Sequence, residues 1–328
     1  RADLLEEALV VYRQPLDLTL EELNIWPRHA SNYATGLLTR YEQTGESALL
    51  EQATDLLERC EAMAEEDEDN PLYAPNLAKA LRLRFQLTGK TEDLERASQI
   101  YHNGINGLPS GHALRPRLLK EFAGVLTEQY DHSGNLAVLE RAIVHYRDAD
   151  RLMSPEDTEH SGLVNDLGVA LEKRFVLVGQ EEDLLECIRR YEQAAALADA
   201  QDGDLSTYWS NLAHALHLHY RRTEQVSDLD RAVVLARQVQ ERPSLTKEGR
   251  FNSLSHRTGI LLEQYGRSGN PVDLHGAIEA AAAAAALIGK DDARSSKAIS
   301  NYAGTILQRY QSFGDPADLR EAMRLGSE

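Results

Sequence analysis

Apolar and small residues along this chain fall on helical stripes that a glycine repeatedly interrupts. Between residues 76 and 88, Leu77, Ala78, Leu81 and Phe85 share one face of an amphipathic helix. Gly89 follows at once, a residue type that takes the left-handed conformation just past a helix C-terminus. A second stripe of Leu94, Ala97, Ile100 and Tyr101 predicts another helix, capped by Thr91 or Asp93 and bounded by Pro109. Glu92 and Glu95 place negative charge near the positive end of its dipole. The unit is helix, tight reversal, helix.

This unit recurs. An aromatic stands four residues before a glycine at Tyr41–Gly45, Phe85–Gly89, Tyr130–Gly134, Phe175–Gly179, Tyr265–Gly269 and Tyr310–Gly314, and Glu224 stands four after Tyr220. The next stripe starts at Leu50, Leu94, Leu139, Leu184, Leu229, Leu274 and Leu319, spaced by 44 once and by 45 otherwise. A fixed period of that length marks an array whose units pack on their neighbours. The expected fold class is therefore all-α: one solenoid of antiparallel helix pairs over residues 1–328, with about seven repeats. The motif Asp3-Leu4-Leu5-Glu6-Glu7-Ala8 reads as half a repeat, and Asp318 to Ala322 as the start of another, so the chain is expected to be part of a longer protein.

Small residues at Ala34, Ala78, Ala123, Gly168, Ala213 and Ala303 predict close helix contacts. A bulky side chain there would overpack the contact at a cost of about 1–3 kcal/mol. Three departures break the pattern: Arg257-Thr258 where other units have Leu-Ala, Glu121-Phe122 where they have Asn-Leu, and Glu224 for glycine. Those units are expected to pack or bind differently, and Glu224 to mark a local irregularity.

Composition narrows the function. A net charge of −18, from 53 acidic and 35 basic side chains, argues against general phosphate-backbone binding and so against nucleic acid. No apolar stretch reaches the length of a membrane span, so no membrane partner is expected. Cys60 and Cys187 lie far apart without disulfide or zinc spacing, which reads as a reducing, cytoplasmic setting. Cys187 takes the slot of Ala97, Ala142 and Ala232, a packing position, and Cys60 ends a second helix beside the acidic run Glu65 to Asp69, which would raise its thiol pKa. That run reads as a solvated loop. His214 and His217 could share a helix face, but too few ligands accompany them for a metal site, and the cluster with His219 reads as surface histidines. Ala280 to Ala286 reads as a helix in a tight interface. No catalytic residue, metal or cofactor is expected.

The order Leu-Gly/Ala, Gly, Ala, aromatic, Pro resembles a tetratricopeptide repeat, whose unit is 34 residues. Here about one helical turn is added before the glycine, which lengthens the first helix while keeping its phase. Asn76 to Ala97, Asp166 to Cys187 and Asn301 to Ala322 resemble the stretched arrays of CHAT-domain proteins, which carry caspase-like proteases. The resemblance implies a right-handed superhelix whose first helices line a concave groove. It further implies a non-catalytic scaffold that binds a protein or peptide and regulates or targets an attached protease, itself one candidate partner. The alternative is a structural solenoid that packs on the parent protein or on itself, as in nucleotide-binding immune sensors. In the family the Asn before Leu-Gly holds a peptide backbone, which nominates Asn32, Asn76, Asp166, Asn211 and Asn301. Bridging of adjacent helices by the same amides is an equal alternative. Lys79, Arg117 and Lys120 beside Asn76 resemble, loosely and incompletely, a carboxylate clamp for an acidic side chain or C-terminus; a plain solvated face is the favoured alternative.

Overall fold

The computed structural model describes residues 2–18, 25–63, 70–199, 203–242, 246–289, 292 and 294–326, and the acidic run Glu65 to Asp69 lies outside the described residues. Fifteen helices form among them: α1 (Ala2–Leu18), α2 (Trp26–Thr44), α3 (Ser47–Met63), α4 (Asn70–Thr88), α5 (Thr91–Gly107), α6 (Arg115–Ser133), α7 (Leu136–Leu152), α8 (His160–Val178), α9 (Glu181–Leu197), α10 (Leu205–Thr223), α11 (Val226–Gln240), α12 (Lys247–Ser268), α13 (Pro271–Leu287), α14 (Ser295–Phe313) and α15 (Pro316–Gly326). The chain divides into two compact units, Arg1–Met153 and Ser154–Glu328.

In the first unit α2 pairs with α3, α4 with α5 and α6 with α7, while α1 packs on α2 and each pair on the next. In the second unit the pairs are α8–α9, α10–α11, α12–α13 and α14–α15. Successive pairs again stack. The result is an all-helical repeat array, as the periodic stripes predict. The first helix of a pair is usually 19 residues and the second 17, as in α8 and α9.

Each first helix ends the same way. The residue after it takes the left-handed conformation, and its N–H donates to the carbonyl of the aromatic four back at 2.7 Å. This is the single-bond left-handed cap, in which one orphan helix carbonyl is satisfied as the chain reverses. Glu224 does likewise at φ 57°, with its N–H on the Tyr220 carbonyl at 2.7 Å. The turn geometry is unchanged there, and the irregularity is one of strain: a residue with a Cβ holds the left-handed backbone that glycine takes in the other repeats.

Neither Thr91 nor Asp93 caps α5; Lys90 holds the cap position without a side-chain hydrogen bond. Asp93 is buried instead and accepts two hydrogen bonds from Arg84, at 2.8 and 2.6 Å. Arg174–Asp183 and Arg309–Asp318 repeat this clamp, and His219–Asp228 replaces the arginine with imidazole. The acid that precedes the recurring leucine therefore ties the second helix to the first, nine residues earlier in the chain.

Five of the six small positions behave as expected, and Ala303 is half-buried. Ala34, Ala78, Ala123 and Ala213 are buried, and the ring of Tyr191 lies on Gly168, where a Cβ would come within 2.6 Å of it. The alanine run lies inside α13, with Ala280, Ala281 and Ala284 buried.

Candidate functional site

The residues nominated for a groove sit at equivalent places on successive first helices. Within the first unit α2 touches α4, and within the second α10 touches both α8 and α12, so side chains one repeat apart come into reach. Asn76 donates its amide to Ser31 Oγ at 3.0 Å, and Asn211 donates to Asn165 Oδ1 at 2.9 Å. His256, which holds the same slot a repeat later, meets Ser210 Oγ through Nδ1 at 3.4 Å. All three contacts run from the slot to the residue just before the slot of the preceding first helix. They are rungs between repeats, the bridging alternative for these amides. Asn32 and Asn301 are exposed, and Asp166 is half-buried beside Asn165, whose amide reaches it at 3.4 Å.

The basic residues differ among themselves. Lys79 pairs with Glu42 at 2.8 Å, so its charge is shared with a carboxylate. Arg117 is exposed and Lys120 half-buried.

Beneath this face lies a polar core that sequence reasoning missed. Leu38, Leu262 and Leu307 hold a register where other first helices carry Arg82, Glu172 and His217. Arg82 lies over Gly124 and donates to Glu128 at 2.8 Å and Glu121 at 3.5 Å. Two carboxylates hold its guanidinium charged despite burial and raise its pKa. Glu121, one of the departures from the repeat, thereby serves an ion pair between repeats.

Glu172 gathers more groups. It accepts from the Tyr191 hydroxyl at 3.0 Å, lies 3.9 Å from Cys187 Sγ, and meets His214 Nδ1 at 2.8 Å. The His214 ring stacks on that of His256 at 4.0 Å between centroids. His217 is buried, with its Nε2 unpaired among the described residues, and burial lowers its pKa to about 4. His256 is also pushed well down, again mainly by burial. The surface-histidine expectation is thus corrected: His217 faces the interior, while His214 and His219 are half-buried against carboxylates. Each sits on the stripe of α10 that packs against neighbouring helices. The signal lay in the repeat register, where a polar residue replaces a recurring leucine.

The thiols are placed for packing rather than attack. Cys187 is fully buried, and burial followed by Glu172 pushes its pKa well up. Cys60 donates to the Pro27 carbonyl at 3.4 Å, and its pKa rises to about 12. The direction matches the sequence reading, but the cause is burial. No thiolate forms at either position near neutral pH.

Among the described residues no helix is long and apolar enough to cross a membrane. Among the described residues no group of three or more His, Cys, Asp or Glu side chains could hold a metal ion.

No protein-family model matches the chain. No curated protein matches it either. Solved structures do. Tetratricopeptide-like repeats of a Podospora anserina kinesin light chain are 19% identical, with a TM-score of 0.45, covering 67% of this chain and 99% of that one. PilF of Pseudomonas aeruginosa is 14% identical at a TM-score of 0.47, covering 91% and 98%. A Rap protein complexed with Competence and Sporulation Factor is 17% identical at 0.45, covering 99% and 86%. The likeness is one of helical-repeat architecture, and the fold assignment rests on the chain's own stacked helix pairs.

Proposed function

We propose that this chain is a non-catalytic protein-interaction scaffold that binds a peptide or protein along the face of its first helices. The observation that carries the reading is the alignment of that face. First helices touch one another within each unit, so equivalent positions form rows. Asn32, Arg117 and Asn301 are exposed in those rows. The thiols support a non-catalytic role, since both are buried with raised pKa values. Both are also free, which supports a reducing, cytoplasmic setting. The sequence likeness to CHAT-linked arrays supports a role in regulating or targeting an attached caspase-like domain, which is then one natural partner.

A second reading, a structural solenoid that packs on its parent protein or itself, draws on the rungs. Asn76 and Asn211 donate to neighbouring repeats. The test is selection from a random peptide display library against the whole chain. Selected peptides are then remeasured on Asn32→Ala, Arg117→Ala and Asn301→Ala. We expect roughly tenfold weaker binding, about 1.4 kcal/mol, for at least one of them. A library that yields no binder, from a chain that sediments as a stable oligomer, would favour the structural reading.

A further inference from the structure

A cavity of about 390 Å³ lies in the second unit, among α11, α12 and α13. Its lining from α12 is Arg250, Ser253, Leu254 and Arg257, one helical stripe; Ala236, Val239 and Gln240 of α11, Arg242 and Ala283 of α13 complete the walls. Its size falls within the range of small-molecule sites.

Three departures from the repeat create it. Tyr101, Tyr146 and Tyr191 are buried at equivalent places on their second helices, and α11 has Ala236 there. Asn103, Asp148 and Gln193 occupy the place held by Ala283. Leu77, Leu167 and Leu212 are buried where α12 has Arg257. Loss of a buried tyrosine at Ala236 opens the floor, the short side chain of exposed Ala283 lowers one wall, and Arg257 adds a guanidinium to the lining. An apolar floor with arginines at its rim results.

In a chain of net charge −18, this concentration of cations is unusual. Arg250 and Arg257 make no ion pair or side-chain hydrogen bond among the described residues. Arg257 feels Glu279 and a second arginine, Arg237, only at longer range. Arg242 lies over the Trp209 ring, 5.3 Å from its centroid, which fixes its guanidinium at the edge of the cavity.

We propose that this cavity binds a small amphiphilic oxyanion, with the apolar body against Ala236, Val239, Leu254 and Ala283 and the charged head against Arg250 and Arg257. Guanidinium groups suit that head because their planar fork matches the geometry of carboxylate and phosphate oxygens. The site is separate from the first-helix face and does not depend on the scaffold reading.

The test is calorimetric titration of the whole chain with octanoate and phenylacetate, with octyl phosphate and phenyl phosphate, and with octanamide and phenylacetamide. We expect one-to-one binding of an anion tighter than about 1 mM, with the neutral amides at least tenfold weaker. The carboxylate and phosphate arms tell which head is preferred. Arg257→Leu and Ala236→Tyr restore residues that other repeats carry, and Arg250→Gln keeps the stem while removing the charge. Each is expected to weaken the anion at least tenfold, with helicity checked by circular dichroism. Arg117→Ala, on the first-helix face, should leave it unchanged. Absence of anion binding, equal binding of the amides, or undiminished binding in folded Arg257→Leu and Arg250→Gln would overturn the proposal.

Discussion

Glu224 carries a cost that six glycines avoid. It holds φ at 57° to make the same reversal, and a side chain in the left-handed region costs about 1–2 kcal/mol. Glu224→Gly should therefore stabilise the chain by roughly 0.5–1 kcal/mol, after the glycine's greater unfolded-state entropy is subtracted. Urea denaturation reads the effect, and a lower midpoint would show that the glutamate side chain contributes something the backbone does not reveal. His217 gives a pH dependence. Its pKa is about 4 in the fold against 6.5 when unfolded, so below 6.5 the unfolded chain binds more protons. Stability is full above pH 6.5 and falls as pH drops towards 4, by up to about 1.4 kcal/mol per unit. His256 is also pushed down, mainly by burial, and is coupled to it, so the measured steps belong to the pair. His217→Leu, the residue of other repeats, should flatten the denaturation midpoint between pH 7 and 5.

Between the helices of a pair, the clamp is the main polar tie. Asp183 is buried and accepts both arginine hydrogen bonds, so Asp183→Val removes the carboxylate that holds Arg174 and should cost about 3 kcal/mol. The double change Arg174→Gln with Asp183→Val reproduces the Gln129 and Val138 pair of another repeat and should recover most of that loss. In that repeat Gln129 donates to the Leu94 carbonyl at 3.4 Å, and in the α2–α3 pair, where Leu49 of α3 replaces the acid, Arg40 of α2 pairs with Glu6 of α1. The first-helix residue finds a new partner whenever its acid is missing. A double-mutant cycle by urea denaturation measures this, and a double variant as weak as the single one would refute it.

Stacked repeats transmit damage mainly to neighbours. Gly168→Ala would drive a Cβ to 2.6 Å from the Tyr191 ring, where the buried tyrosine also holds Glu172, at a cost of about 1–3 kcal/mol. Because stacking within the second unit runs from one pair to the next, native-state hydrogen exchange should lose protection in α8 and α9, then α10, while α14 and α15 keep theirs. A uniform loss along the chain would instead indicate one cooperative unit.

The sequence alone determined the helices, their pairing and their reversals, because those follow from local periodicity and a glycine's tolerance of positive φ. It also marked the odd units, since Arg257, Glu121 and Glu224 break a pattern repeated along the chain. Tertiary structure decided what those departures do. Glu121 joins Arg82 across repeats, Glu224 keeps the turn, and Arg257 lines a cavity together with Ala236 and Ala283 of two other helices. The same holds for His217, whose burial depends on Gly259 a repeat away, where a Cβ would stand 3.1 Å from its ring. Contacts between residues 40 or more apart are set by how helices stack, and a stripe on one helix does not record what the next one presents.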